Sequence, residues 1–185
     1  MEAPAVTRYR RPFLAPVWLT MLAIVFVLGI AFAIYRSAST TVVVLVRPAE
    51  KEAGTIEDPP LSPDGEQRAQ TLAQMLGETS GVGRLDAIYV SDSRRAQQTI
   101  APLADRLGKR PTVIPGGDIG AIASRLSGGH DGEAVLFVGN DTSVPQLVHE
   151  LTGVDVGRST ESEHDTLYVV SIPTFGRASV LRLKY

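Results

Sequence analysis

Thr41-Val42-Val43-Val44-Leu45-Val46-Arg47-Pro48-Ala49-Glu50-Lys51 is the stretch from which the rest of the chain can be read. Five consecutive apolar residues, Val42 to Val46, ended by one arginine, describe a strand buried on both faces that delivers a charge to its carboxyl end. In open α/β sheets ligands gather beyond the carboxyl ends of the strands, so Arg47 marks the first place to expect chemistry. The residue that follows it is a proline, which carries none.

Upstream of this stretch, Phe13 to Tyr35 runs for 23 residues without a charge, close to the roughly 20 that a membrane-spanning helix needs. Arg8, Arg10 and Arg11 precede it and only Arg36 follows, an asymmetry that predicts a cytoplasmic amino terminus and a carboxyl-terminal domain on the far side of the inner membrane. The competing expectation is a cleaved signal peptide, with Ala31-Phe32-Ala33 as its processing site. The apolar run is longer than the usual signal core of about 7–15 residues, which favours an uncleaved anchor. The expected organisation is a basic amino terminus over 1–12, a membrane helix over 13–35, a spacer over 36–40 and one domain over 41–185.

Without Glu2, Arg8, Arg10 and Arg11 the chain holds 15 basic and 19 acidic residues, a net charge of −4. No basic patch stands out, which argues against nucleic acid as a partner. The chain contains no cysteine, which excludes disulfides and thiol chemistry.

Downstream, Glu52 to Leu61 contains Gly54, Asp58, Pro59 and Pro60 and reads as a loop. Ser62 as N-cap and Pro63 at the first helical position predict a helix, buried along Ala69, Leu72, Ala73 and Leu76 and ended by Gly77 or Gly81. Leu85 to Val90 is a second strand, and Ser91-Asp92-Ser93 caps a helix with Ile100, Leu103 and Leu107 inside and Pro102 as a point of kinking. Thr112–Pro115, Ile119–Leu126 and Ala134–Gly139 follow as strand, helix and buried strand. A turn over Asn140 to Ser143 leads into a helix that faces the core with Val144, Leu147, Val148 and Leu151. Alternating strands and helices predict a three-layer α/β/α domain with a mainly parallel sheet. Leu167–Ile172 and Ser179–Lys184, joined by a short turn, predict a closing antiparallel hairpin, so the sheet is mixed.

Four motifs in order resemble the histidine phosphatase superfamily, the phosphoglycerate mutase-like fold, and its short members in particular. They are Val46-Arg47-Pro48-Ala49-Glu50, Leu61-Ser62-Pro63-Asp64-Gly65, Ser91-Asp92-Ser93-Arg94-Arg95-Ala96-Gln97-Gln98-Thr99 and Val138-Gly139-Asn140. In that family a histidine after the first arginine is the phosphorylated nucleophile, and two arginines and a second histidine hold the phosphoryl oxygens. The resemblance therefore implies phosphate-binding roles for Arg47, Arg95 and Asn140. Pro48 takes the nucleophile's place and Asn140 that of the second histidine, with the two positions facing one pocket. Proline has no nucleophilic or acid–base atom and asparagine cannot carry a phosphoryl group, so no phosphohistidine chemistry is expected. No cofactor or metal is implied.

Three histidines could substitute. His130 reads as a solvated loop residue away from the pocket and His149 as a half-exposed helix position. Glu163-His164-Asp165 borders the pocket if the fifth strand is antiparallel, and His164 is the one candidate for a replacement catalytic group. Glu50 is a further rim candidate. Asn140-Asp141-Thr142 matches a glycosylation sequon, but its place in the turn points to structure. Three functions stay open on the sequence: an anchored pseudophosphatase binding a phosphorylated small molecule or an acidic protein segment, an active phosphomonoesterase with a rearranged site, and a ligand-free envelope scaffold.

Overall fold

The strand that opens the domain, β1 (Thr40–Val46), alternates its side chains between two cores. Val44 and Val46 enter one hydrophobic cluster, Val43 and Leu45 the other, and all four are fully buried. An apolar run without polar alternation is what such a strand requires, because both its faces are covered. Each of these aliphatic side chains contributes roughly 1.5–3 kcal/mol by leaving water.

The protein is described by a computed structural model covering residues 17–37, 39–54, 57–77, 84–115, 117–157 and 165–185. Met1–Ser37 and Ala38–Tyr185 are two separate compact units. In the first, helix α1 (Val17–Ser37) contains the segment Val17–Ile34, long and apolar enough to cross a membrane and unburied by protein along its length. The helix includes Arg36 and Ser37, and β1 begins at Thr40, so most of the expected spacer belongs to regular structure. Arg8, Arg10 and Arg11 lie outside the described residues.

In the second unit, α2 (Pro63–Gly77), β2 (Leu85–Ser91), α3 (Arg94–Leu107), β3 (Thr112–Ile114), α4 (Ile119–Ser127), β4 (Ala134–Val138), α5 (Ser143–Thr152), β5 (Thr166–Pro173) and β6 (Ser179–Lys184) follow in order. The sheet order is β3-β2-β4-β1-β5-β6. β1 pairs in parallel with β4 and antiparallel with β5, and β6 pairs antiparallel with β5, giving the mixed sheet that the terminal hairpin predicts. Leu72, Leu76, Ile100 and Leu103 from α2 and α3 fill one face, and Ile122, Leu126, Leu147 and Val148 from α4 and α5 fill the other. These are the three expected layers.

The helix starts follow their local chemistry. The Ser62 hydroxyl accepts from the Gly65 amide at 3.1 Å, the Ser93 hydroxyl from Ala96 and the Asp118 carboxylate from Ala121, each relieving a donor that the helix itself cannot satisfy. Pro102 lies within α3, which continues to Leu107 and ends at Gly108 with φ of 62°. The start of α2 is docked on the chain just beyond β1: the Ser62 amide donates to the Glu50 carbonyl at 2.9 Å. Gly65 permits this approach, because a β-carbon there would strike the backbone carbonyl of Glu50.

Gly65→Ala is therefore expected to destabilise the domain by about 1–3 kcal/mol. Urea unfolding of the intact protein in mild detergent, followed by far-ultraviolet circular dichroism, measures it.

Candidate anion site at the carboxyl edge of the sheet

Register brings the ends of β1 and β4 together. Val46 pairs with Val138, and the Gly139 amide donates to the Val46 carbonyl at 3.1 Å, so Arg47-Pro48 and Gly139-Asn140 leave the sheet side by side. Gly139 is required there, since a β-carbon would meet the Ser143 hydroxyl and the Phe137 ring.

Arg47 is among the largest fully buried side chains of the described residues, 1% exposed. A guanidinium cannot be desolvated without an acceptor, and Asp141 provides one: Arg47 Nε and Nη2 both donate to Asp141 Oδ1, at 3.1 and 2.7 Å. The second carboxylate oxygen of Asp141 lies 3.8 Å from Nη2 of Arg95, in the first turn of α3. One carboxylate thus bridges the two arginines. Nη1 of Arg95 is buried and has no hydrogen-bond partner.

Asn140 faces a different task. Its Oδ1 accepts from the amides of Thr142 and Ser143, at 3.0 and 2.6 Å, while its own amide donates to the Ser143 hydroxyl at 2.8 Å. This reciprocal pairing across three residues has the form of a capping box and shapes the entry into α5. The carbonyl end of the side chain is thereby committed to the backbone, which leaves Nδ2 as the only side-chain donor that could face an anion.

Pro48 is buried directly after Arg47. The next amide, Ala49, donates to the Thr99 hydroxyl at 3.0 Å, and that hydroxyl donates to the Arg95 carbonyl at 2.8 Å. The Leu61 amide donates to Gln98 Oε1. Much of the Ser91–Thr99 motif therefore anchors loops, and in doing so fixes where Arg95 stands relative to Arg47. Arg94 is exposed, its amide accepted by the Asp58 carboxylate.

The expected rim divides. The Glu50 carboxylate is held by Arg68 of α2, with Nε at 2.7 and 2.9 Å from its two oxygens, and lines a groove with Asp64, Gln67, Thr71 and Tyr185. Donating to the Glu50 carboxylate holds the Arg68 guanidinium above its ordinary pKa. Asp165 stands at the head of β5, whose pairing of Leu167 with Val46 brings this end alongside the exit of β1. Burial pushes its carboxyl up, but the Lys184 ammonium at 3.4 Å and the Thr166 hydroxyl outweigh that and leave it below the usual carboxylate range. Glu163 and His164 lie outside the described residues.

The other two histidines are placed by their neighbours. His149 is exposed on α5. His130 is not the solvated loop residue its glycine-rich surroundings predict: its side chain is 14% exposed, with Nδ1 2.6 Å from Glu133, Nε2 3.1 Å from the Tyr89 hydroxyl, and the Tyr89 ring edge-on to it. It precedes β4, at the opposite end of that strand from Asn140.

Residues 43–116 match the model of the histidine phosphatase superfamily, branch 1. The domain has the histidine phosphatase fold. Among solved structures, the protein histidine phosphatase SixA in complex with tungstate is 20% identical with a TM-score of 0.65, covering 77% of this chain and 96% of its own. A phosphoserine phosphatase from Entamoeba histolytica with 3-phosphoglyceric acid is 15% identical with a TM-score of 0.60, covering 78% and 97%. A mycobacterial glucosyl-3-phosphoglycerate phosphatase with inorganic phosphate is 17% identical with a TM-score of 0.57, covering 78% and 96%. No curated protein matches the sequence. On this histidine phosphatase fold, the residue that sequence reasoning passed over is Asp141, taken only as part of a sequon.

Two outcomes follow from these contacts. Asn140→Ala leaves the Thr142 and Ser143 amides without their cap and is expected to cost about 1 kcal/mol, read from urea unfolding. Because the folded Asp165 carboxyl titrates below its unfolded value, its pairing stabilises the protein above the ordinary aspartate range and loses that contribution as pH falls through the folded value. Lys184→Met should therefore lower the melting temperature at neutral pH, with the difference from wild type vanishing in acid.

Proposed function

We propose that the domain is a membrane-anchored pseudophosphatase that binds an anion at Arg47 and Arg95 and does not turn it over. The observation that carries this reading is the convergence of two guanidinium groups on one carboxylate beside a proline. Bidentate guanidinium donors suit phosphate and carboxylate oxygens, and the setting at the sheet's carboxyl edge is where such ligands sit in α/β folds. Solved proteins of this fold hold tungstate, inorganic phosphate or 3-phosphoglyceric acid, which agrees with an oxyanion as the ligand class. The natural ligand is then a phosphorylated small molecule or an acidic segment of a partner protein.

Inactivity is argued from chemistry. Phosphomonoester hydrolysis requires accelerations of up to about 10²¹, and two arginines that bind the ground state as well as the transition state supply little of it. Pro48 offers no lone pair for attack on phosphorus, and the Asn140 carbonyl is occupied in capping α5. Intact protein in detergent should bind inorganic phosphate in titration calorimetry, lose that binding in Arg95→Ala, and release no product from an aryl phosphate. Turnover by wild type that disappears in His164→Ala would replace this reading with a rearranged phosphomonoesterase.

Anchoring through α1 with the domain outside the cytoplasm is the second part of the proposal, supported by the apolar length of Val17–Ile34 and by the basic residues that precede it in sequence. The absence of cysteine makes the side testable. Gln74→Cys on the exposed side of α2 should react with a membrane-impermeant maleimide added to intact spheroplasts; protection until the cells are lysed would reverse the orientation.

A further inference from the structure

The arginine pair is not an open anion site. We infer that Asp141 is its internal ligand, a tethered carboxylate that an incoming tetrahedral oxyanion must displace, so that Asp141 sets both the affinity and the class of ligand admitted. The inference rests on the anion-binding reading above and adds to it a residue that competes for the same donors.

Three observations converge. Asp141 spends one oxygen on two donors of Arg47 and directs the other to Arg95, the arrangement a bound oxyanion would take up between these side chains. A carboxylate nevertheless has only two oxygens, and Nη1 of Arg95 stays buried with no partner. Leaving such a donor unmade is costly, and a ligand with three terminal oxygens can engage it while replacing both contacts of Asp141. Finally, the Asp141 side chain is 43% exposed although Arg47 is 1% exposed. The carboxylate can swing to water without being stranded in an apolar interior, whereas the buried guanidinium stays in place to receive the incoming oxyanion.

Charge decides selectivity. Displacing Asp141 removes one negative charge from between the two guanidinium groups, which favours a phosphate dianion over a singly charged visitor. A free monocarboxylate only reproduces what Asp141 already provides at high effective concentration, so it gains nothing by exchange. Of the two ligand classes proposed above, this selects the dianionic phosphoryl group of a phosphorylated small molecule over the carboxylates of an acidic segment.

The test is calorimetric titration of the intact protein in detergent with inorganic phosphate and, separately, acetate, for wild type, Asp141→Asn and Asp141→Ala. Phosphate should bind at least tenfold more tightly to both variants than to wild type, and acetate should bind the variants while ignoring wild type. In addition, saturating phosphate should raise the melting temperature of Asp141→Asn by more than that of wild type, because it binds the variant without first displacing a carboxylate; this reading serves if Asp141→Ala fails to fold. Equal phosphate affinity across the three proteins, with binding still abolished by Arg95→Ala, would overturn the inference and leave the anion site standing. Absence of phosphate binding in all three would overturn both.

Discussion

A full positive charge with no access to water is the constraint that the carboxyl edge of this sheet is arranged to satisfy. Arg47 is delivered to a buried position by the strand that also forms the centre of the core, so its burial cannot be relieved without moving β1 itself. An ion of this kind is tolerable only with an anion against it at hydrogen-bonding distance. The local structure supplies one through a chain of dependencies. Gly139 brings the β4 exit close to β1, Asn140 and Ser143 set the pitch of the turn, and Asp141 is thereby presented to the guanidinium. On the other side, the Thr99 hydroxyl ties the helix bearing Arg95 to the residue two beyond Arg47.

Seen this way, the motifs of the histidine phosphatase fold divide their labour. Ser62, Gly65, Ser93, Gln98 and Thr99 cap helices and pin loops. Arg47 and Arg95 gather anionic oxygens. The positions expected to carry nucleophile and partner hold Pro48 and Asn140, and neither disturbs the scaffold. The residues that maintain the fold are thus distinct from those at positions 48 and 140.

What could be read from sequence follows the same division. β1 and β4 were legible because continuous apolar runs have no other stable place than the middle of a covered sheet, and α2 because Ser62-Pro63 announces its start. The charge at Arg47 was legible because it interrupts such a run. Asp141 was not: it is one acid in a polar turn, and its partner lies 94 positions away, a distance no periodicity spans. Glu50 was placed beside the pocket, and its capture by Arg68 depends on how α2 docks after the loop. His130 looked solvated among glycines, yet Tyr89 on the neighbouring strand encloses it.

The capping role of Asn140 carries a consequence for any attempt to place an imidazole there. An imidazole at 140 would have to surrender the two backbone amides that the Asn140 carbonyl now satisfies, and any residue other than proline at 48 would bring a new N–H into a buried position that must find its own acceptor. Asn140 and Pro48 are both part of the hydrogen-bond accounting of their surroundings. Installing imidazoles at these two positions therefore passes through a less stable protein, whatever the two arginines beside them can hold.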